Sequence, residues 1–288
     1  MTNTILGIIG GSGVYDIPID GARWRRVASP WGEASDEVRE GEISGLPVVF
    51  LPRHGRGHVF SPSSINYRAN IDVLKRCGVT DLFSLSAVGS LREELPPGHF
   101  VLVDQFIDKT NLRQNSFFGT GCVAHVPFGE PTSPNLRNLA AAALTAEGVP
   151  HRNGGTLVVM EGPQFSTRAE SQLHRAWGAD LIGMTAMPEA KLAREAELPF
   201  CNVSMVTDFD SWHPHHEAVD VAQVIEVMKG NVNQAKHFVS RLAALIPRKH
   251  AVCEADHALE HAIMTAPEKR DPALLAKLDA VAGRIFKN

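Results

Sequence analysis

The 288-residue chain has no excess of basic charge: 28 Lys and Arg stand against 32 Asp and Glu, a net charge of −4. A general nucleic-acid binder needs a basic face to neutralise many phosphates, so the balance argues against that class. Paired cysteines are lacking too. Cys77, Cys122, Cys201 and Cys253 are scattered with no C-x-x-C, which leaves zinc spacing and a redox dithiol unsupported and fits reduced thiols in a cytosolic protein. No apolar run approaches the roughly eighteen residues of a membrane span. The start, Met1-Thr2-Asn3-Thr4 before Ile5-Leu6-Gly7-Ile8-Ile9, has no basic flank and too short an apolar stretch for a secretory leader. A cytoplasmic location, with no membrane or nucleic-acid partner, is expected. Internal repeats and low-complexity tracts are absent as well.

What is present is an ordinary globular composition, 44% hydrophobic and 21% charged. Short continuous apolar runs recur at 5–9, 48–51, 81–87, 100–103, 156–160, 181–184 and 200–206. Runs that do not alternate fit strands buried on both faces. Helical patterns lie between them at 64–77, 134–147, 167–177, 188–197 and 218–246. Ser133 followed by Pro134 reads as an N-cap and first helical position. Strands alternating with helices predict an α/β fold: a single domain with a central mixed sheet flanked by helices. The main unit is expected over 1–247. Residues 248–288 are read as a helical extension of the same domain, with short helices over 253–264 and 272–285. The Gly/Pro-rich stretch 108–133 has no periodicity, and loops that long inside compact domains are usually functional or packed on a partner.

Chemistry gathers at the strand ends. Pro52-Arg53-His54-Gly55-Arg56-Gly57-His58 holds four residues that are or can become cationic. In open α/β sheets ligands bind beyond the carboxyl ends of strands, and guanidinium and imidazole donors there suit a phosphate or carboxylate. A solvated basic turn is the plainer reading. Gly7 to Gly13 contains glycines and Ser12 but neither G-x-G-x-x-G nor a Walker sequence; an anion nest and a purely structural tight turn both remain open. Ser86 with Ala87, and Thr185, offer donors at two further strand ends. Thr207-Asp208-Phe209-Asp210 brings two carboxylates out of a buried strand. They read either as turn or cap aspartates, or as groups that protonate or hydrogen-bond a nitrogen heterocycle. Burial and a neighbouring carboxylate both raise a carboxyl pKa toward general-acid use. Phe165 either flanks a flat ligand or staples the core.

Eight segments, in order over about 6–239, carry a resemblance: Gly10-Gly11-Ser12-Gly13, Arg53-His54-Gly55-Arg56, Asn66-Tyr67-Arg68-Ala69-Asn70, Ala87-Val88-Gly89-Ser90-Leu91, Asp104-Gln105-Phe106-Ile107-Asp108, the stretch from Glu161 to Glu170, the stretch from Met184 to Glu189, and Thr207-Asp208-Phe209-Asp210. Together they resemble the methylthioadenosine-cleaving members of the trimeric purine nucleoside phosphorylase family. The resemblance implies a phosphate site at Ser12, Arg53, His54, Ser86, Ala87 and Thr185. It implies a nucleoside site at Phe165, Met184, Asp208, Phe209 and Asp210, with Val221, Val224 and Ile225 walling the 5′-methylthio group. Ser166 and Val221 fall where that family separates methylthio from hydroxyl sugars. His125 matches a loop histidine that reaches a neighbouring subunit, implying a homotrimer.

The implied activity is phosphorolysis of S-methyl-5′-thioadenosine to adenine and 5-methylthioribose 1-phosphate, in purine and methionine salvage. Asp208 and Asp210 are the expected catalytic pair, with no metal or organic cofactor and inorganic phosphate as co-substrate. Gly183 departs from the Asn that adenosine-type relatives often carry, so a 6-oxopurine or methylthioinosine phosphorylase is the alternative. A non-catalytic nucleotide-binding protein is the reading from another class.

Overall fold

The computed structural model describes residues 2–11, 13–213 and 221–286. Every one of the seven continuous apolar runs becomes a strand: β1 (Leu6–Gly10), β4 (Leu46–Pro52), β5 (Asp81–Ser90), β6 (Phe100–Val103), β9 (Thr156–Val159), β10 (Leu181–Gly183) and β11 (Phe200–Asp208). Four more strands were not anticipated: β2 (Asp20–Arg25), β3 (Val38–Ile43), β7 (Gln105–Asp108) and β8 (His151–Asn153). They carry little apolar signal; β2 is exposed along its whole length.

The strands form one mixed sheet in the order β2-β3-β4-β1-β5-β10-β9-β7, which forks at β5 into a second branch through β11, β6 and β8. β1 runs parallel to both β4 and β5, aligning Gly10 with Pro52 and with Leu85. β11 also runs parallel to β5. Four carboxyl-terminal strand ends therefore open on the same side. β5 continues beyond that line, and its last residues pair with β10 and with Asp208.

Helices cover both faces. α1 (Tyr67–Arg76) and α4 (Ala186–Glu195) pack on one side, and α2 (Pro134–Ala146) and α5 (Val221–Leu245) on the other. Ile71, Val73, Leu74, Ala190 and Leu192 lie in the first core, Ala140, Leu144, Phe238 and Leu242 in the second. Local signals set the helix starts. The Ser133 hydroxyl accepts from Leu136 N, and Thr167 with Glu170 forms a capping box that opens α3 (Arg168–Ala176). Among the described residues no helix is long and apolar enough to cross a membrane.

The C-terminal extension departs from expectation. The helix predicted over 253–264 is only a 3₁₀ turn at Glu254–His257. Backbone bonds from His125 to Ala262 and from Met264 to Val123 tie this stretch to the 108–133 loop instead. The helix predicted over 272–285 divides into α6 (Pro272–Lys277) and α7 (Gly283–Phe286). Leu259, Leu278 and Val281 nonetheless enter the first core. His250 fastens the start of the extension, lying buried between Asp81 Oδ2 at 3.0 Å and Asp256 Oδ1 at 2.8 Å.

Candidate active site

At the end of β4, Arg53 is 1% exposed and is already in use. Its Nε donates to Glu189 Oε1 at 2.5 Å and its Nη2 to Glu189 Oε2 at 3.1 Å. Nη2 also donates to Ser84 Oγ and Nη1 to the Leu85 carbonyl. A guanidinium has five N–H groups, so one on Nη1 is left. Arg53 is thus a buried, paired cation with a single remaining donor. Glu189 lies on α4, four residues beyond Thr185, and holds the guanidinium through both carboxylate oxygens.

His54 is buried beside it. Its Nδ1 lies 2.8 Å from the Phe60 carbonyl, and a carbonyl only accepts, so Nδ1 carries the hydrogen. Burial, then the Arg53 charge, pushes its pKa down to about 4. The ring is neutral at pH 7 and its Nε2 is an acceptor. His58 stacks on it at 4.2 Å. Arg56 does not join them; it turns outward to Asp36 and Glu37 and over the Trp24 ring. Thr185 makes no side-chain capping bond, and the backbone leaves the helical region at Met187 (φ −110°, ψ 132°) before the continuous part of α4, so what this end offers an anion is the Thr185 hydroxyl.

The opposite end is acidic. β11 bulges after Val206 and stops at Asp208, which pairs with Gly89. Asp208 Oδ1 accepts from Asp210 N at 2.8 Å, while Oδ2 lies 2.7 Å from Thr207 Oγ1. Thr207 Oγ1 is also 3.1 Å from the Val88 carbonyl. The threonine has one hydrogen. If Asp208 is protonated, the chain runs Asp208 to Thr207 to Val88 and every group is satisfied. Burial raises the Asp208 carboxyl above its ordinary value, with Asp210 adding to the effect. Asp210 sits in the left-handed region at φ 49°, tolerable for an aspartate, and its buried Oδ2 has no partner among the described residues. Gly89 makes room for the pair, since a Cβ there would lie 3.0 Å from Asp208 Oδ1 and 3.3 Å from Asp210 Cβ.

Both ends line one cavity of about 400 Å³. Arg53, His54, Ser86 and Thr185 belong to it together with Asp208 and Asp210, and Met160, Phe165 and Met184 add apolar surface. Among the described residues no three His, Cys, Asp or Glu gather where they could hold a metal ion. The sequence profile of the Phosphorylase superfamily matches residues 5–244. The chain belongs to this superfamily. Across its whole length it is 61% identical to the S-methyl-5′-thioadenosine phosphorylase of Bradyrhizobium diazoefficiens, the match also covering 100% of that protein. A methylthioadenosine phosphorylase from an antarctic soil metagenomic library superposes with a TM-score of 0.91 at 41% identity, over 97% of this chain and 99% of that one. The Schistosoma mansoni methylthioadenosine phosphorylase, solved with adenine, gives 0.79 at 38% identity, over 84% and 91%.

Not every anticipated residue of this phosphorylase reaches the cavity. Arg53, His54, Ser86, Ala87, Phe165, Met184, Thr185, Asp208, Asp210 and Val224 do. Ile225 does not: it is 46% exposed. Adjacent helical residues point about 100° apart, and the face that carries Val224 continues to Met228, which also lines the cavity. Phe209 also stands apart from the lining, stacked on His213 at 4.8 Å and against Trp212, because it alternates with Asp208. Ser166 is buried beside Met160 Sδ, outside the lining. His125 lies on the 108–133 loop, away from its own chain's cavity. Ser12 and the Val221 side chain fall outside the described residues. Glu189 and Thr207 were missed; the pairing of Arg53 with a residue 136 positions away leaves no local signal.

Proposed function

We propose that this phosphorylase cleaves S-methyl-5′-thioadenosine with inorganic phosphate, giving adenine and 5-methylthioribose 1-phosphate for purine and methionine salvage. The observation that carries the reading is the shared cavity, with a paired cation at one end and a carboxyl of raised pKa at the other. The full-length identity to a curated methylthioadenosine phosphorylase supports it.

In this reading, phosphate binds between the remaining Arg53 donor, the Ser86–Ala87 segment and the Thr185 hydroxyl. The C1′–N9 bond breaks as positive charge grows on the sugar, an oxocarbenium-like course akin to glycoside cleavage. A phosphate oxygen forms the new bond to C1′, its charge facing that sugar in a preorganised site. The proton count closes as follows. Monohydrogen phosphate surrenders its proton, for which neutral His54 Nε2 is an acceptor, and the purine gains one at N7 from Asp208, leaving as neutral adenine. Solvent returns the balance to the two side chains. The unpartnered Asp210 Oδ2 accepts from the exocyclic 6-amino group; an oxo base would present a second acceptor there. Val224 and Met228 wall the methylthio group. No cofactor takes part. The chain works as a homotrimer, with His125 on the long loop serving a neighbour's cavity.

The test is a panel of four nucleosides, amino or oxo base crossed with methylthio or hydroxyl sugar, each with and without phosphate. Adenine released from methylthioadenosine only when phosphate is present supports the proposal. Release without phosphate makes the protein a hydrolase, faster turnover of inosine or methylthioinosine moves the base assignment, and binding without cleavage at any pH makes it a non-catalytic binder. Light scattering of the purified protein reads the trimer.

A further inference from the structure

Arg113 lies in the 108–133 loop, outside the cavity lining, and its side chain is 1% exposed. All five of its donors are directed at the segments that form the cavity wall. Nη1 donates to the Met184 carbonyl at 2.5 Å and the Met187 carbonyl at 2.6 Å. Nη2 donates to the Glu161 carbonyl at 2.8 Å and reaches the Met160 carbonyl at 3.4 Å. Nε donates to Glu161 Oε1 at 3.1 Å. Nη1 is also 3.3 Å from the Tyr67 hydroxyl, which in turn donates to the Pro62 carbonyl at 2.8 Å.

Two wall segments meet on this cation directly and a third through the Tyr67 hydroxyl. Met184 and Thr185 belong to the cationic end, Met160 and Pro163 to the apolar wall beside it, and Pro62 to the rim after β4. The Glu161 carboxylate completes the knot. It accepts from the backbone nitrogens of Asn111 and Leu112 and from Ser63 Oγ, and these bonds hold its pKa down at about 2 against the effect of burial. Glu161 therefore remains an anion throughout the physiological range, and the clamp does not titrate.

We infer that Arg113 is a positioning residue for the cleavage reaction: from behind the cavity it sets the spacing between the Met184–Thr185 end, where phosphate is to bind, and the Met160–Pro163 wall, where the nucleoside is to lie. The inference rests on the phosphorolysis reading. It needs a planar fork in particular, since an ammonium has three donors on one atom and cannot span four carbonyls set in two directions.

The experiment measures kcat and the separate KM values for phosphate and methylthioadenosine in wild type, Arg113→Lys, Arg113→Ala and Glu161→Gln, with active protein counted by thermal unfolding. Misplacement of reacting groups by about 1 Å costs on the order of 10²-fold. Arg113→Lys is expected to stay folded, lose kcat on that order and raise the phosphate KM more than the nucleoside KM. Millimolar guanidinium should restore part of the activity of Arg113→Ala. Glu161→Gln, which keeps the guanidinium, should lose less than tenfold. Wild-type kcat and KM values in Arg113→Lys overturn the inference. So does a loss that vanishes once the activity is divided by the folded fraction. A wild-type protein that cannot cleave the nucleoside overturns the functional reading instead, so the two failures are distinguishable.

Discussion

The two ends of the cavity handle charge in opposite ways. At the cationic end the charge is neutralised before any ligand arrives: Arg53 is bound to Glu189, and His54 is held neutral with a pKa near 4. At the acidic end charge is left unsettled, with Asp208 pushed toward its protonated form and Asp210 Oδ2 unpartnered. An end that receives a strongly charged anion gains from rigid, satisfied donors that need no rearrangement. An end that must deliver a proton gains from a carboxyl that keeps its proton to higher pH than an ordinary aspartate, so that the proton is present when the purine leaves. The difference teaches which parts of the site are structural before they are chemical.

Removing the proton is the most severe way to break this contrast. Asp208→Asn should lower kcat on the order of 10²–10⁴-fold, with phosphate KM little changed; initial rates over a phosphate series check both. Arg53→Ala should act differently from an ordinary loss of ligand contact. It strands Glu189 as an uncompensated buried charge, so about 3–5 kcal/mol of stability goes with it, visible in urea unfolding, while phosphate KM rises more than kcat falls. Val224→Asp should sharpen the contrast at the sugar. A polar group in the apolar wall should shift the preference from methylthio toward hydroxyl sugars by about tenfold, read as a ratio of kcat/KM values.

The smallest effect on turnover is expected far from the cavity. His250, between Asp81 and Asp256, has its pKa raised to about 10, its bonds to those two carboxylates outweighing burial. The folded state therefore holds a proton that the unfolded chain loses near 6.5. The stabilisation is fully present below pH 6.5 and is lost as pH rises toward 10. His250→Gln should flatten that slope in unfolding midpoints measured from pH 6 to 10, with kcat unaltered at pH 7.

Much of this was legible in the sequence, for a physical reason. Strands buried on both faces announce themselves as continuous apolar runs, and ligand groups sit at the carboxyl ends of β4, β10 and β11, of which β4 and β11 belong to the parallel part of the sheet while β10 runs antiparallel to β5. Arg53, Thr185 and Asp208 could be located that way. What they are bonded to could not. Glu189 and Arg113 act through partners 136 and 71 positions distant, and no window of local pattern carries such a pairing. Edge strand β2 was invisible because exposed strands need no apolar period. The apolar spacing over 253–264 misled because Ala255, Leu259 and Ala262 do face inward, yet the backbone makes only short turns there: the Ala255 and Leu259 carbonyls accept from residues three further on, Leu259 N donates to Glu197 Oε1, and the Ala262 carbonyl accepts from His125 of the long loop.

The contrast between the two ends rests most directly on the state of Asp208. Its protonation is measured by the pH dependence of single-turnover cleavage of methylthioadenosine at saturating phosphate, in wild type and Asp208→Asn. The wild-type rate should fall as pH rises through the raised carboxyl value, and the variant should be slow and flat across the same range. An identical fall in Asp208→Asn, or a wild-type rate that climbs with pH there, would contradict a carboxyl that gives its proton to the departing purine.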